Sequence, residues 1–253
     1  MLESYIRKRL EKNDILLMTH IVLGYPSFNE NLRVIEAMTA AGVDLMEFQI
    51  PCADPHADGR VIARANQQAL KGGATVENCL NWAGKAAGTF NIPFLIMTYF
   101  KVPFRYGVDR FVTAMSHGGL RGAIIPDLPR KNGRVYLDAM RACNLAPILI
   151  FAPSTSVERM KSIAAAGSGF IYCIAREGVT GETTAFTEKL ARYLGRCRQS
   201  TTLPLAVGFG IKEKSDIDFL KGRADIAVIG SQIMRVIRQK GIAAAGEFIR
   251  GLR

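Results

Sequence analysis

The feature that most constrains this chain is a pattern repeated along its whole length: a short apolar stretch followed by an amphipathic one, eight times. The apolar stretches are 15–22 (ILLMTHIV), 43–50 (VDLMEFQI), 92–99 (IPFLIMTY), 122–126 (GAIIP), 146–151 (APILIF), 169–175 (GFIYCIA), 203–209 (LPLAVGF) and 224–230 (ADIAVIG). Most are apolar at consecutive rather than alternate positions, as expected of parallel strands covered by helices. The segments between them, such as ENLRVIEAMTAAG and SVERMKSIAAAG, have helical periodicity. Ser27 with Glu30, and Thr155 with Glu158, have the capping-box spacing of a helix start. Gly42, Gly118, Gly167 and Gly222 stand where helices should end, shortly before a strand. Eight strand–helix units predict an α/β fold, a closed (β/α)8 TIM barrel, with an open doubly wound sheet as the alternative.

The 253 residues are near the usual size of such a barrel. No linker or composition shift divides them, so 1–253 is read as one domain. The opening segment MLESYIRKRLEKND is amphipathic and is expected to close the bottom of the barrel. It lacks the apolar centre of a secretory signal, and no apolar run approaches the roughly 20 residues that span a bilayer. A cytoplasmic protein is expected. The 5 cysteines are scattered and form no C-x-x-C pair, and the 3 histidines lack metal-ligand spacing. Both facts argue against a disulfide framework or a zinc site. The net charge of +11 would suit a polyanion partner, but its basic residues are spread along the chain and no nucleic-acid-binding motif accompanies them. Such a charge speaks to solubility and association rather than to fold.

In a barrel of this kind the working face is built from the loops that follow the strands. Along 43–50 the period of two places Val43, Leu45, Glu47 and Gln49 on one face and Met46, Phe48 and Ile50 on the other. The second set is large and apolar and should face the helices. Glu47 then points inward near the rim, where a carboxyl can serve as general acid or base. The loop PCADPHADG follows, stiffened by Pro51 and Pro55. It carries Asp58, which is either a second carboxylate facing Glu47 or the first member of an ordinary Asp-Gly turn. At the far end of the chain, REGVTG (176–181), GFGI (208–211) and IGSQI (229–233) follow strands six, seven and eight. Glycines there let a backbone approach a ligand, and helix N-termini bind anions, which points to phosphate.

Taken together these motifs resemble those of the tryptophan synthase α-subunit family. The resemblance runs from LGYPS after the first strand, through E-x-x-IP-x-x-DP-x-ADG at 47–59, MTY at 97–99, PDLP at 126–129 and GVTG at 178–181, to GFGI at 208–211 and IGSQI at 229–233. It implies cleavage of indole-3-glycerol phosphate to indole and glyceraldehyde 3-phosphate, a retro-aldol reaction in tryptophan biosynthesis without metal or organic cofactor in this chain. It implies Glu47 and Asp58 as the catalytic pair. Glu47 would serve the proton transfers, and Asp58, kept ionised, would hold the indole N–H and stabilise positive charge on the ring. Tyr99, Ile150, Tyr172 and Phe209 match substrate-pocket positions. Gly181, Gly210, Gly230 and Ser231 match the phosphate cradle, and Thr180 a loop that closes over substrate. The implied partner is a β subunit carrying pyridoxal phosphate, in an αββα heterotetramer, met by loop 51–59 and the segment after strand three.

Five positions depart from the family pattern. Gln49 stands for a usual glycine, His20 for an apolar aromatic residue, Tyr25 for an acid, Arg60 for a common proline and Lys101 for a frequent asparagine. Gln49 is expected either to hydrogen-bond Glu47 or to take up indole's space. These departures suggest a retuned pocket or partner surface. They leave open a stand-alone lyase on this or a related phosphorylated substrate, and a non-catalytic regulatory α-like subunit.

Overall fold

The structure, a computed structural model, describes residues 1–129, 133–174, 188–208 and 210–253. The eight apolar stretches form eight parallel strands: β1 (Leu16–Val22), β2 (Leu45–Gln49), β3 (Phe94–Met97), β4 (Gly122–Ile124), β5 (Ala146–Phe151), β6 (Ile171–Ile174), β7 (Leu205–Gly208) and β8 (Ile226–Ile229). They pair in chain order and β8 returns to β1, closing the barrel. Apart from β5, which matches its stretch, each strand is shorter than its apolar stretch, because the residues at its ends turn into the loops.

Two apolar clusters divide the side chains by strand face. Leu17, Ile21, Met46, Phe48, Ile50, Phe94 and Ile96 belong to the layer between sheet and helices. Leu16, Met18, Leu45, Leu95, Met97, Ile124, Ile148, Ala206, Ile226 and Val228 fill the barrel. Val43, expected inward, packs in the outer layer instead, because regular strand pairing in β2 begins only at Leu45. The helix Leu2–Leu10 sends Leu2 and Ile6 into the inner cluster, so the opening segment does plug the bottom.

Along β1 the inward residues run Leu16, Met18, His20; along β2 they run Leu45, Glu47, Gln49. The register sets Met18 beside Leu45 and His20 beside Glu47. An apolar floor therefore carries a polar rim at the strands' C-terminal end, where loops arrive.

Local chemistry explains most of the boundaries. Ser27 caps the helix Phe28–Ala40 by accepting from the Glu30 N–H at 3.2 Å. The cap expected at Thr155 lies one residue later: Ser156 accepts from the Arg159 N–H at 3.3 Å. The Thr155 hydroxyl is turned back to accept from the Ala152 N–H at 3.2 Å. Gly118 and Gly167 cap helix C-termini, and Gly42 and Gly222 follow them with φ of +93° and +73°.

At the bottom, Asp44 is fully buried at the start of β2. It accepts from the Leu17 N–H at 2.9 Å, from Arg9 at 2.5 Å and from Arg253 at 2.6 Å. One carboxylate thus ties the first helix, two strands and the C-terminal helix together. Asp44→Ala should lower stability by about 3 kcal/mol, since it strips a buried, charge-assisted set of bonds. Urea unfolding followed by circular dichroism would measure this, and an unchanged midpoint would contradict it.

Candidate active site

Glu47 and His20 are neighbours across the β1–β2 pairing, and both are buried. His20 Nδ1 lies 2.8 Å from Glu47 Oε1. The other ring nitrogen, Nε2, lies 3.0 Å from Gln49 Oε1. The Gln49 amide nitrogen in turn donates to Asp58 Oδ2 at 2.7 Å. The same oxygen receives the Tyr99 hydroxyl at 2.9 Å, and Tyr99 Oη accepts from the Ala57 N–H at 3.1 Å. Glu47, His20, Gln49, Asp58 and Tyr99 thus form one hydrogen-bonded chain across the mouth. Glu47 Oε2 is buried and has no hydrogen-bond partner among the described residues.

This decides what Asp58 does. Its own N–H closes a turn to Pro55 O at 2.9 Å, but that turn is centred on His56 and Ala57, and Asp-Gly leads instead into the next helix. Its carboxylate nevertheless faces inward, onto Gln49 and Tyr99, rather than capping local backbone. The loop is anchored by Asn66, whose Oδ1 accepts from the Cys52 N–H at 2.8 Å. The helix Arg60–Lys71 begins directly after Gly59. Of the two expectations for Gln49, a bond to Glu47 is not made: the amide is held between His20 Nε2 and Asp58 Oδ2 instead.

The electrostatics follow the same wiring. Burial pushes the Asp58 carboxyl up, against the lowering effects of His20, Gln49 and Tyr99. Burial alone would push His20 down, but the bond to Glu47 and the charges of Glu47 and Asp58 outweigh it, so its net direction is up. The Tyr172 phenol is held well above its ordinary range, by burial first and then by the charges of Glu47 and Asp58. Tyr172, on β6, thus feels the charge of both carboxyls.

Ile150 pairs with Tyr172 in the β5–β6 register and packs against the inner cluster. Beyond Tyr172 lies Gly208, where a Cβ would sit 2.5 Å from the tyrosine oxygen. The first glycine of GFGI thus makes room for Tyr172. Gly210 has φ +88°, a conformation that side chains rarely adopt. Gly230 leads the helix Ser231–Lys240, and a Cβ on it would lie 3.7 Å from the Cβ of His20. Gly210, Gly230 and the buried Ser231 follow the C-terminal ends of β7 and β8. Thr180, Gly181 and Phe209 lie outside the described residues.

Two contributions were not anticipated. Asp127 of PDLP accepts from the Phe100 N–H at 2.7 Å, which fixes the turn that carries Tyr99. The His56 ring lies against Tyr99 at 4.7 Å between centroids. Neither has a spacing signal, since each depends on loops that meet only in the closed barrel. Tyr99→Phe removes the donor to Asp58 and the acceptor of the Ala57 N–H. It should cost about 1–3 kcal/mol in chemical unfolding, and an unaltered midpoint would show that the loop is held otherwise.

Residues 6–249 match the family model for the tryptophan synthase alpha chain. The chain is 57% identical to the tryptophan synthase alpha chain of Desulforapulum autotrophicum, over 100% of both chains. It is 53% identical to that of Syntrophotalea carbinolica, again over 100% of both. Among solved structures it is similar to a tryptophan synthase from Mycobacterium tuberculosis, with a TM-score of 0.92 and 28% identity, over 99% of this chain and 96% of that one. With a closed barrel and two linked carboxyls at its mouth already in view, these matches leave one conclusion: the chain belongs to the tryptophan synthase α-chain family.

Proposed function

We infer that this chain, the lyase of a tryptophan synthase, cleaves indole-3-glycerol phosphate at the polar rim of its barrel, with Glu47 and Asp58 as the working pair. The observation that carries this reading is the buried Oε2 of Glu47, without a hydrogen-bond partner among the described residues, in one network with an Asp58 already oriented by two donors. Cleavage requires a proton to arrive at indole C3 and another to leave the glycerol hydroxyl as the C–C bond breaks. A carboxyl that can give and then take a proton meets both needs. Asp58 Oδ1, the oxygen not held by Gln49 and Tyr99, accepts the indole N–H, and its charge favours the cationic ring of the transition state. Tyr172 and Ile150 flank the ring together with Phe209. Thr180 belongs to a segment that closes over it.

The phosphate is received by backbone N–H groups of Gly181, Gly210, Gly230 and Ser231. A helix N-terminus at Ser231–Lys240 adds its dipole. The barrel acts as one domain over 1–253, in the cytoplasm; among the described residues no helix is long and apolar enough to cross a membrane. Membership of the family implies a β subunit as partner. The assembly is an αββα heterotetramer, with pyridoxal phosphate carried by β and no cofactor in this chain. Loop 51–59 and the helix Lys101–Tyr106 meet the partner. There Phe104 is 61% exposed beside Lys101, an apolar ring suited to burial in an interface.

Indole release from indole-3-glycerol phosphate, with and without a β subunit of the same source, tests the reading. Slow release that the partner accelerates is expected; no release by folded protein in either condition would refute it. Glu47→Gln and Asp58→Asn should each lower turnover by about 10²–10⁴-fold with the fold retained, and near-normal turnover in either would remove that residue from the chemistry. Phe104→Asp should weaken activation by β while leaving the rate of the isolated chain unchanged, which titration of indole release with β subunit would measure.

A further inference from the structure

Every contact of the chain from Glu47 to Tyr99 constrains where protons sit. Gln49 Nε2 faces Asp58 Oδ2, an oxygen that also receives the Tyr99 hydroxyl. Turning the amide would set two acceptor oxygens against each other, so the orientation with Nε2 toward Asp58 is the satisfied one. Gln49 then presents Oε1, an acceptor only, to His20 Nε2. That nitrogen must carry a hydrogen. His20 Nδ1 and Glu47 Oε1, 2.8 Å apart, share one further proton. Oε1 is thereby engaged, and Oε2 is the oxygen left buried without a partner among the described residues.

We propose that His20 and Gln49 are positioning residues for the lyase reaction, a bridge that joins the two carboxyls and assigns all proton transfer to Glu47 Oε2. The inference rests on the lyase reading above. In the bridge, His20 is a cation donating Nδ1–H to Glu47 Oε1 and Nε2–H to Gln49, and it stays so through the cycle. Oε2–H gives its proton to indole C3. The bare Oε2 then takes the proton of the glycerol hydroxyl as the C–C bond electrons pass to the indole ring and the hydroxyl carbon becomes the aldehyde. One proton leaves and one returns, so the bridge ends each turnover as it began. The charged groups facing His20 are Glu47 from β2 and Asp58 from the following loop. A cation between them offsets both and keeps Asp58 ionised while Glu47 is protonated.

Two consequences separate this role from ordinary packing. Losing one member of the bridge strands the polar atoms of the other in a buried site, whereas losing both does not. Losing the imidazolium also removes a cation that favours the ionised Asp58 carboxylate, so the acidic limb of the pH profile, which reports Asp58, must move to higher pH.

The test compares steady-state indole release by the wild-type chain with that of His20→Phe, Gln49→Met and the double variant, across pH and with thermal unfolding as a control. Each single variant should lose about tenfold to a hundredfold in kcat through misplacement of Glu47, with a smaller change in KM. The acidic limb of His20→Phe should move up. The double variant should keep more activity than the product of the single losses. ¹⁵N imidazole spectra of the wild-type chain should show His20 Nε2 protonated across that range, with a strongly deshielded proton on Nδ1. Folded His20→Phe with wild-type kcat and an unmoved acidic limb would overturn the proposal, as would a neutral His20 with unprotonated Nε2. Wild-type protein that shows the ¹⁵N signature but releases no indole would instead overturn the lyase reading, and the positioning role with it.

Discussion

The structure depends on one constraint: five polar side chains share the mouth of an otherwise apolar barrel, and their hydrogen bonds must be met there by one another. Glu47, His20 and Gln49 are almost wholly removed from water. In such a setting an unpaired polar atom is costly and a completed network is rigid. The chain of contacts from Glu47 Oε1 to Tyr99 Oη uses one oxygen of each carboxylate, and Glu47 Oε2 is left buried without a hydrogen-bond partner among the described residues. The site's geometry is therefore an outcome of satisfaction: the partners that hold the acids also determine which atoms face a substrate.

That network needs a rigid frame on both sides. Below it, Met18, Leu45, Leu95 and Val228 fill the barrel, so the rim cannot sink. Around it, the turn after β3 is fixed by Asp127 and the loop after β2 by Asn66. These anchors bring Tyr99 and Asp58 together from loops 41 residues apart in sequence. At the opposite end Asp44 performs a purely structural task with the same residue type. Asp44 is fully paired by two guanidinium groups and a backbone N–H, whereas Glu47 keeps an oxygen in reserve. This difference, rather than burial, separates the structural acid from the one proposed for the chemistry.

Much of this was legible in the residues. The eight strands, the plug formed by Leu2 and Ile6, and the inward direction of Glu47 all follow from apolar periodicity, because that periodicity is itself the cause of burial. Strand ends were read too long, as at Val43, because hydropathy does not register where pairing starts. The helix cap fell on Ser156 rather than Thr155, since either hydroxyl has a usable spacing and only the turn at Ala152 chooses between them. Gln49 and His20 stood out as departures from the family pattern. That they touch, and that Gln49 serves Asp58 and not Glu47, depends on the register of β1 against β2 and the path of the loop to Asp58. Asp127 and His56 act through contacts between loops from different strands, which no local pattern encodes.

The most direct measurement is a crystal structure of the chain with an unreactive analogue of indole-3-glycerol phosphate that lacks the hydroxyl at the bond to be cleaved. The account predicts the indole ring between Glu47 and Asp58, its N–H on Asp58 Oδ1 and its C3 facing Glu47 Oε2. The His20–Gln49 bridge should be intact and the phosphate should rest on the backbone at Gly210, Gly230 and Ser231. An indole ring bound elsewhere, or C3 facing away from Glu47 with the bridge broken, would contradict it.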